Sequence, residues 1–413
     1  MSFKPYPKYH DSGVQWLGDV PEHWELRPLF GLVRERAESN KGMVEDNLLS
    51  LSYGRIIRKD IASNDGLLPQ SFETYQIVRP GDIVLRLTDL QNDKRSLRSA
   101  LVEETGIITA AYLTVIPQGP LPRFVSYLLR AYDVTKVFYS MGGGLRQSMS
   151  FGDVKRMSTL VPPEKEQAQI VEFLDRETSK IDELVREQRR LMELLSAKRQ
   201  AVISHAVTKG LNPDVPIKPS GVQWLGDVPA HWKMLVIKRF STLHRGYDLT
   251  DEERTDGPHP VVTSGGINGT HGSFMARGPG VVTGRYGSTG RLFYVEQDFW
   301  PHNTSLYVSD YHGNYPRFVW YSLQTVDFAA HSAKAAVPGI DRNDIHVLPV
   351  AVPPNSEQVA IVEALDAETA ALDALTAEAQ RAIDLLLERR SALISAAVTG
   401  KIDVRGFDNA EAA

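Results

Sequence analysis

The sequence predicts a mixed α/β protein: two globular domains separated by two long antiparallel coiled-coil helices, pseudo-two-fold symmetric within one chain. Three observations carry that expectation. The thirteen residues "SGVQWLGDVPEHW" from Ser12 return as "SGVQWLGDVPAHW" from Ser220, one change at an offset of 208. "VPPEKEQAQIVEFLDRETSKIDEL" from Val161 returns as "VPPNSEQVAIVEALDAETAALDAL" from Val352, at an offset of 191. Each copy of this second stretch opens a long apolar seam at helical spacing. Internal repetition sets an architecture before any other signal does.

The elements follow in order. Residues 1–160 form the first domain, opening with the Trp-rich tag. Its body holds "GDIVLRLTDL" at Gly81, β-rich and bounded by turn signals, and "PRFVSYLLRAYDV" at Pro122, a short helix. Residues 161–211 form the first long helix. Ile170, Leu174, Ile181, Leu184, Leu191, Leu195 and Val202 follow the spacing of a heptad seam. Pro163 suits the start, Glu164 and Glu166 favour the helix dipole, and Gly210 is a stop. A Pro-rich link, "LNPDVPIKPSG", leads into the second tag.

Residues 212–351 form the second domain, with "GVVTGRYGSTGRLFYV" at Gly280 as strands and "PRFVWYSLQTVDF" at Pro316 as a helix. The two bodies show no convincing register beyond this faint echo. Residues 352–413 hold the second long helix and a tail. Its seam is Ile361, Leu365, Leu372, Leu375, Leu386 and Leu393, between Pro354 and Gly400. About 45 helical residues make a rod of roughly 65–70 Å.

An antiparallel helix pair returns the second helix to the first domain. Each tag then meets the end of a helix, covalently in the second copy and only spatially in the first. Trp16, Trp24, Trp224 and Trp232 either seat domain against helix or fill their own domain's core.

Bulk properties bound the function. With 413 residues the chain is long enough for two or more domains. It is 42% hydrophobic, has no cysteine, and carries a net charge of −5. The acidity concentrates in 352–413, with 5 Lys or Arg against 11 Asp or Glu. No run approaches the roughly 20 apolar residues of a membrane span. The opening residues lack a secretory h-region. Absent thiols fit a reducing cytoplasm and exclude disulfides and thiolate metal sites.

At this point a family resemblance emerges. The tag "SGVQWLGDVPxHW", the "VPPxxEQ" lead-in to a long helix, and the doubled arrangement resemble the specificity subunit of Type I restriction–modification systems. So do "GDIVLRLTDLQNDKRSLRS" and "RYGSTGRLFYVEQDFWPHNTSLYV" within the bodies. The resemblance implies two target recognition domains, each reading half of a bipartite sequence in double-stranded DNA. It implies helices that set the unread gap and dock two methyltransferase (modification) subunits, which restriction/translocase subunits join. It also implies a subunit without catalytic residues of its own.

The motif content of the chain agrees. No GxxxxGK[ST] occurs, and no GxGxxG links a strand to a helix. The eleven histidines lack metal-ligand spacing. Neither catalytic residue, metal nor cofactor is expected. "GGGLRQS" at Gly142 reads either as a phosphate cradle or as a plain turn.

DNA reading needs cations for phosphates and planar hydrogen-bonding groups for base edges. In the first body Gln91, Asn92, Lys94, Arg95 and Arg98 form the densest cluster, with Arg86 just before it. Tyr53, Arg55 and Arg58 form a second group, and Arg146, Gln147 and Ser148 a third. In the second body Arg285, Tyr286, Ser288, Thr289 and Arg291 sit among glycines, with Asn303, Thr304, His331 and Lys334 as further candidates. The alternative reading is a two-domain coiled-coil scaffold for protein assembly that binds no DNA.

Overall fold

Both long helices form. The structure, a computed structural model, describes residues 4–60, 71–90, 97–141, 148–331 and 339–407. Its helices are α1 (Pro122–Val134), α2 (Phe151–Val154), α3 (Glu164–Lys209), α4 (Ile237–Phe240), α5 (Pro316–Leu323), α6 (Arg342–His346) and α7 (Asn355–Val398). The carbonyls of Pro163 and Pro354 accept the first helical amide bonds of α3 and α7. Gly210 (φ 77°) and Gly400 (φ 73°) end them in the left-handed region, where a side chain is disfavoured.

The chain divides into two compact units, Met1–Gln188 with Arg381–Ala413, and Arg189–Gln380. Each unit therefore contains part of both long helices. In the first unit, Ile170, Phe173 and Leu174 of α3 share a core with Leu393, Ile394, Ala397 and Val398 of α7. Further along α3, Asp182 meets Arg390. Advancing on one helix thus retreats on the other, so the pair runs antiparallel. The second unit repeats this, with Ile203, Ala206 and Val207 against Ile361, Val362 and Leu365, and Arg199 on Asp373.

The heptad seam exists, but one part of it lies elsewhere. Among the buried or half-buried positions of α3, those at 174, 178, 181, 185, 188, 192, 195 and 199 follow a strict four–three alternation. Leu184 and Leu191, expected in the seam, are exposed, and so is Leu375 of α7. Thr178, Val185, Gln188 and Met192 occupy the contact stripe instead. Helical geometry, not side-chain hydrophobicity, fixes which residues face the partner, so a leucine one position off the stripe meets solvent.

The tags dock as duplicated clasps. Trp24 is buried and donates its indole N–H to Glu166 at 3.0 Å, while His23 lies 2.8 Å from the other carboxylate oxygen. Trp232 and His231 make the same contacts to Glu357, at 3.1 and 2.8 Å. Glu166 and Glu357 lie in the first turns of α3 and α7, where the helix dipole also favours an anion. The helix ends meet the tags or the residues just before them. Tyr9 donates to the carbonyl of Gly400 at 2.9 Å, and Lys209 donates to the carbonyls of Leu225 and Asp227. Trp16 and Trp224, expected to dock or fill a core, are largely exposed. They belong to the turn of each tag, and only the second Trp of each copy is seated.

The bodies share an unforeseen order of strands. In the first unit a four-stranded antiparallel sheet runs Val33–Glu35, Leu113–Pro117, Ile83–Leu85, Ser99–Leu101. In the second it runs Thr242–Arg245, Ser305–Asp310, Gly280–Gly284, Leu292–Val295. Helices α1 and α5 fix these sheets to the long helices through matched contacts. Tyr127 and Arg123 reach Asp175 at 2.6 and 2.7 Å, and Tyr321 and Arg317 reach Asp366 at 2.6 and 3.1 Å.

Candidate nucleic-acid interface

The shared topology gives the chain segments that hold the principal clusters of the two bodies equivalent flanking strands. Residues 86–98 connect Ile83–Leu85 to Ser99–Leu101, and residues 285–291 connect Gly280–Gly284 to Leu292–Val295. Both are the connection between the third and fourth strands of the sheet, and both leave from the same sheet end.

In the second unit this rim is well defined. The amide of Arg285 donates to Thr304 O at 2.9 Å, and its carbonyl accepts from Ile340 N at 3.0 Å. The Arg285 guanidinium lies over the Tyr286 ring, 4.5 Å from its centroid, and Arg291 lies over Phe293 at 5.2 Å. Ser288 is exposed, and the Thr289 hydroxyl donates to Gly287 O at 3.3 Å. Gly287 and Gly290 take positive φ, so this turn needs residues without a Cβ.

Asn303 and Thr304 lie beside this turn. Thr304 Oγ1 accepts from Ser264 N at 3.3 Å, and Asn303 donates to Asp248, which also pairs with Arg245 at 3.2 Å. His331 ends a short 3-10 turn, half-buried. Lys334 falls outside the described residues. Sequence reasoning missed Arg245 and Asp248. Gly246 between them was the available signal, because a Cβ there would lie 2.1 Å from His302 O.

In the first unit the loop stem is built around Arg98. Expected among the DNA contacts, Arg98 is instead completely buried. Its guanidinium donates to the carbonyls of Arg86, Thr88 and Asp89 at 3.2, 2.7 and 3.1 Å, and Nε donates to Tyr139 OH at 3.0 Å. A buried cation must satisfy its donors, and here the loop's own backbone does so. Arg98 shapes the loop rather than facing outward. Arg86 is half-exposed at the loop's start. Gln91, Asn92, Lys94, Arg95, Arg146 and Gln147 fall outside the described residues. Ser148 is exposed, and its neighbour Met149 donates from its amide to Leu87 O at 2.8 Å, drawing that segment onto the same loop.

Tyr53, Arg55 and Arg58 lie on a separate hairpin, Leu49–Ser52 paired with Arg55–Arg58. Its two-residue turn is Tyr53–Gly54, with φ of 44° and 75°. Both positive values mark a mirror-image turn, a geometry that favours Asn-Gly. Tyrosine there carries a backbone cost of about 1–2 kcal/mol. Arg58 forms a bidentate pair with Glu104, which raises the guanidinium's pKa and lowers the carboxyl's. Arg55 lies 3.7 Å from Asp182.

Among the described residues, no group of three or more His, Cys, Asp or Glu is placed to hold a metal. No described helix is long and apolar enough to cross a membrane.

Two like-built α/β units, each with segments of both long helices and a four-stranded sheet of the same order, define a duplicated architecture. Residues 229–384 match the family described as Type I restriction modification DNA specificity domain. The fold agrees. A chain from a solved structure on the complex assembly and conformational transition of the type I R-M system matches with a TM-score of 0.68. It is 15% identical, and the match covers 92% of this chain and 98% of that one. The HsdS subunit from Thermoanaerobacter tengcongensis matches at 15% identity with a TM-score of 0.49, covering 95% of this chain and 100% of that one. The type I S subunit from M. genitalium matches at 15% identity with a TM-score of 0.41, covering 91% and 96%. The comparison with curated proteins gives no match.

Proposed function

We propose that this chain is the DNA sequence-recognition subunit of a Type I restriction–modification complex. The observation that carries the reading is the specificity-domain match over residues 229–384, together with the same sheet order recurring in the other body. Residues 1–160 and 212–351 are the two target recognition domains, each reading one half of a bipartite duplex target. The helices 161–211 and 352–413 set the unread gap between the halves and dock two modification subunits, and restriction/translocase subunits join the full complex. The chain contributes recognition in the cytoplasm and leaves methyl transfer and cleavage to its partners. The scaffold reading is not favoured, because it gives no reason for a DNA specificity domain or for two differently lined rims.

The test is binding and methylation by the chain assembled with its modification subunits. Sequence-specific binding should weaken steeply with salt, by a slope near −0.9 per phosphate contacted. Methylome sequencing should return one two-part motif. Binding without sequence preference, or no binding with the partners present, would return the scaffold reading.

A further inference from the structure

One half-buried cation in the first unit has no counterpart at the matching position of the second. Arg130 lies on the face of α1 that packs against Ser99–Leu101, and its guanidinium reaches the hairpin of Tyr53. Its Nη2 donates to Gly54 O at 2.8 Å and also to Ser99 O, and its Nε donates to Ser99 Oγ at 3.0 Å. Gly54 is the tip of the hairpin, and Ser99 is the first strand residue after the 86–98 loop. A single guanidinium thus ties the hairpin tip to the base of the candidate DNA loop. Asp133, three residues further along α1, accepts from the Arg98 amide at 2.6 Å and joins the same loop to the same helix.

The tip has no slack. A Cβ on Gly54 would lie 2.2 Å from Arg130 Nη1, so a side chain there would displace the guanidinium. The return strand is held as well, through Arg55 and Asp182 of α3. On this fixed platform stands Tyr53, 80% exposed and in a left-handed backbone conformation. Neither its packing nor its backbone geometry accounts for an aromatic at that position. In α5, aligned with α1 through the shared "PRFV", Gln324 stands where α1 has Arg130.

We propose that Tyr53 is a DNA-contacting residue of the first recognition domain and that Arg130 is the residue that positions it. The inference rests on the DNA-recognition reading above. A rigidly mounted aromatic lies flat against a sugar edge or a base step without paying for its own ordering on binding. The tie to Ser99 holds the ring in register with the loop that reads the same half-site.

The test uses the chain assembled with its modification subunits and compares Tyr53→Asn, Arg130→Met and Arg130→Lys with the wild type. Tyr53→Asn suits the turn better, so its melting temperature should hold or rise while cognate affinity falls about tenfold, the scale of one stacking contact. Arg130→Met should relax base discrimination within one half-site only, and Arg130→Lys, which keeps a donor for Gly54, should restore part of it. Loss of thermal stability with discrimination unchanged at every base pair would make Arg130 merely structural. Wild-type affinity in Tyr53→Asn would remove the DNA contact. A wild-type complex without any sequence preference would sink the underlying reading instead, and this inference with it.

Discussion

Arg390 of α7 grips both carboxylate oxygens of Asp182 on α3, through Nε at 3.0 Å and Nη2 at 3.3 Å. Shifting each residue by the 191-residue offset of the repeat turns this pair into Arg199 and Asp373, which also meet, at 3.3 Å. An arginine of each helix therefore reaches an aspartate of the other. This reciprocity is the signature of a self-complementary interface, here produced within a single chain.

The two pairs should differ in strength. Asp182 is three-quarters covered and receives two bonds, so a double-mutant cycle on Arg390 and Asp182 should give about 1–2 kcal/mol of coupling. Asp373 is mostly exposed and makes one ion-pair contact without a hydrogen bond in good geometry, and water screens it, leaving about 0.5 kcal/mol or less. Denaturation of the four single and two double alanine variants measures both. Equal couplings would show that burial does not set their strength.

The repeat made the helices and clasps legible in the sequence. Trp24 and Trp232 are seated on Glu166 and Glu357 because identity at the tag and at the helix start preserved both partners. The seam was only partly legible. Leu184 drew attention as an apolar residue, while the contact stripe passes through Thr178, Val185 and Gln188. The sheets were not legible as a pair. Ile83–Leu85 and Gly280–Gly284 share burial, not identity, and the connections that follow differ in length. The site failed where charge was taken for exposure, as at Arg98. Nor does anything local in a sequence mark a guanidinium such as that of Arg130, half-buried and committed to the distant carbonyls of Gly54 and Ser99.

Arg98 and Arg86 should separate structure from recognition. Arg98→Ala strips a buried cation from three loop carbonyls and should cost the first unit about 3–5 kcal/mol, as loss of one member of a buried charged network does. Hydrogen exchange at Ser99–Leu101 should rise accordingly. Arg86→Ala should leave that exchange unchanged and lower DNA affinity, reducing the salt slope by about one if it contacts a phosphate. Unaltered protection in Arg98→Ala would contradict the buried network.

The second unit should lose stability in mild acid through His346. Its Nε2 accepts from Leu243 N at 2.9 Å, which requires the neutral ring. Burial, with Arg342 and Lys238 adding to it, holds its pKa below the ordinary 6.5. Above pH 6.5 the ring is neutral folded or unfolded and adds no pH dependence. Below that, the unfolded chain takes up a proton first, so stability falls until the folded-state value is reached. His346→Gln keeps an acceptor without titrating. Urea midpoints taken between pH 5 and 7.5 should show a shallower slope for this variant, and parallel slopes would exclude His346 as the source.

Lengthening both helices tests the division of labour between rims and helices. Insertion of one heptad after Arg190 and one after Arg381, positions related by the same 191-residue offset, preserves the four–three alternation of the seam. Seven residues add about 10 Å of helix, close to three base pairs of duplex at roughly 3.4 Å each. Both rims lie outside the inserted segments, and so do the clasps at Glu166 and Glu357. Methylome sequencing of cells carrying the lengthened chain with its partners should therefore show two unaltered half-sites, with the unread gap grown by about three base pairs. An insertion in one helix alone leaves seven residues without a partner stripe and should abolish methylation rather than respace it. Altered half-sites in the doubly lengthened chain would mean that the helices read sequence as well as measure distance.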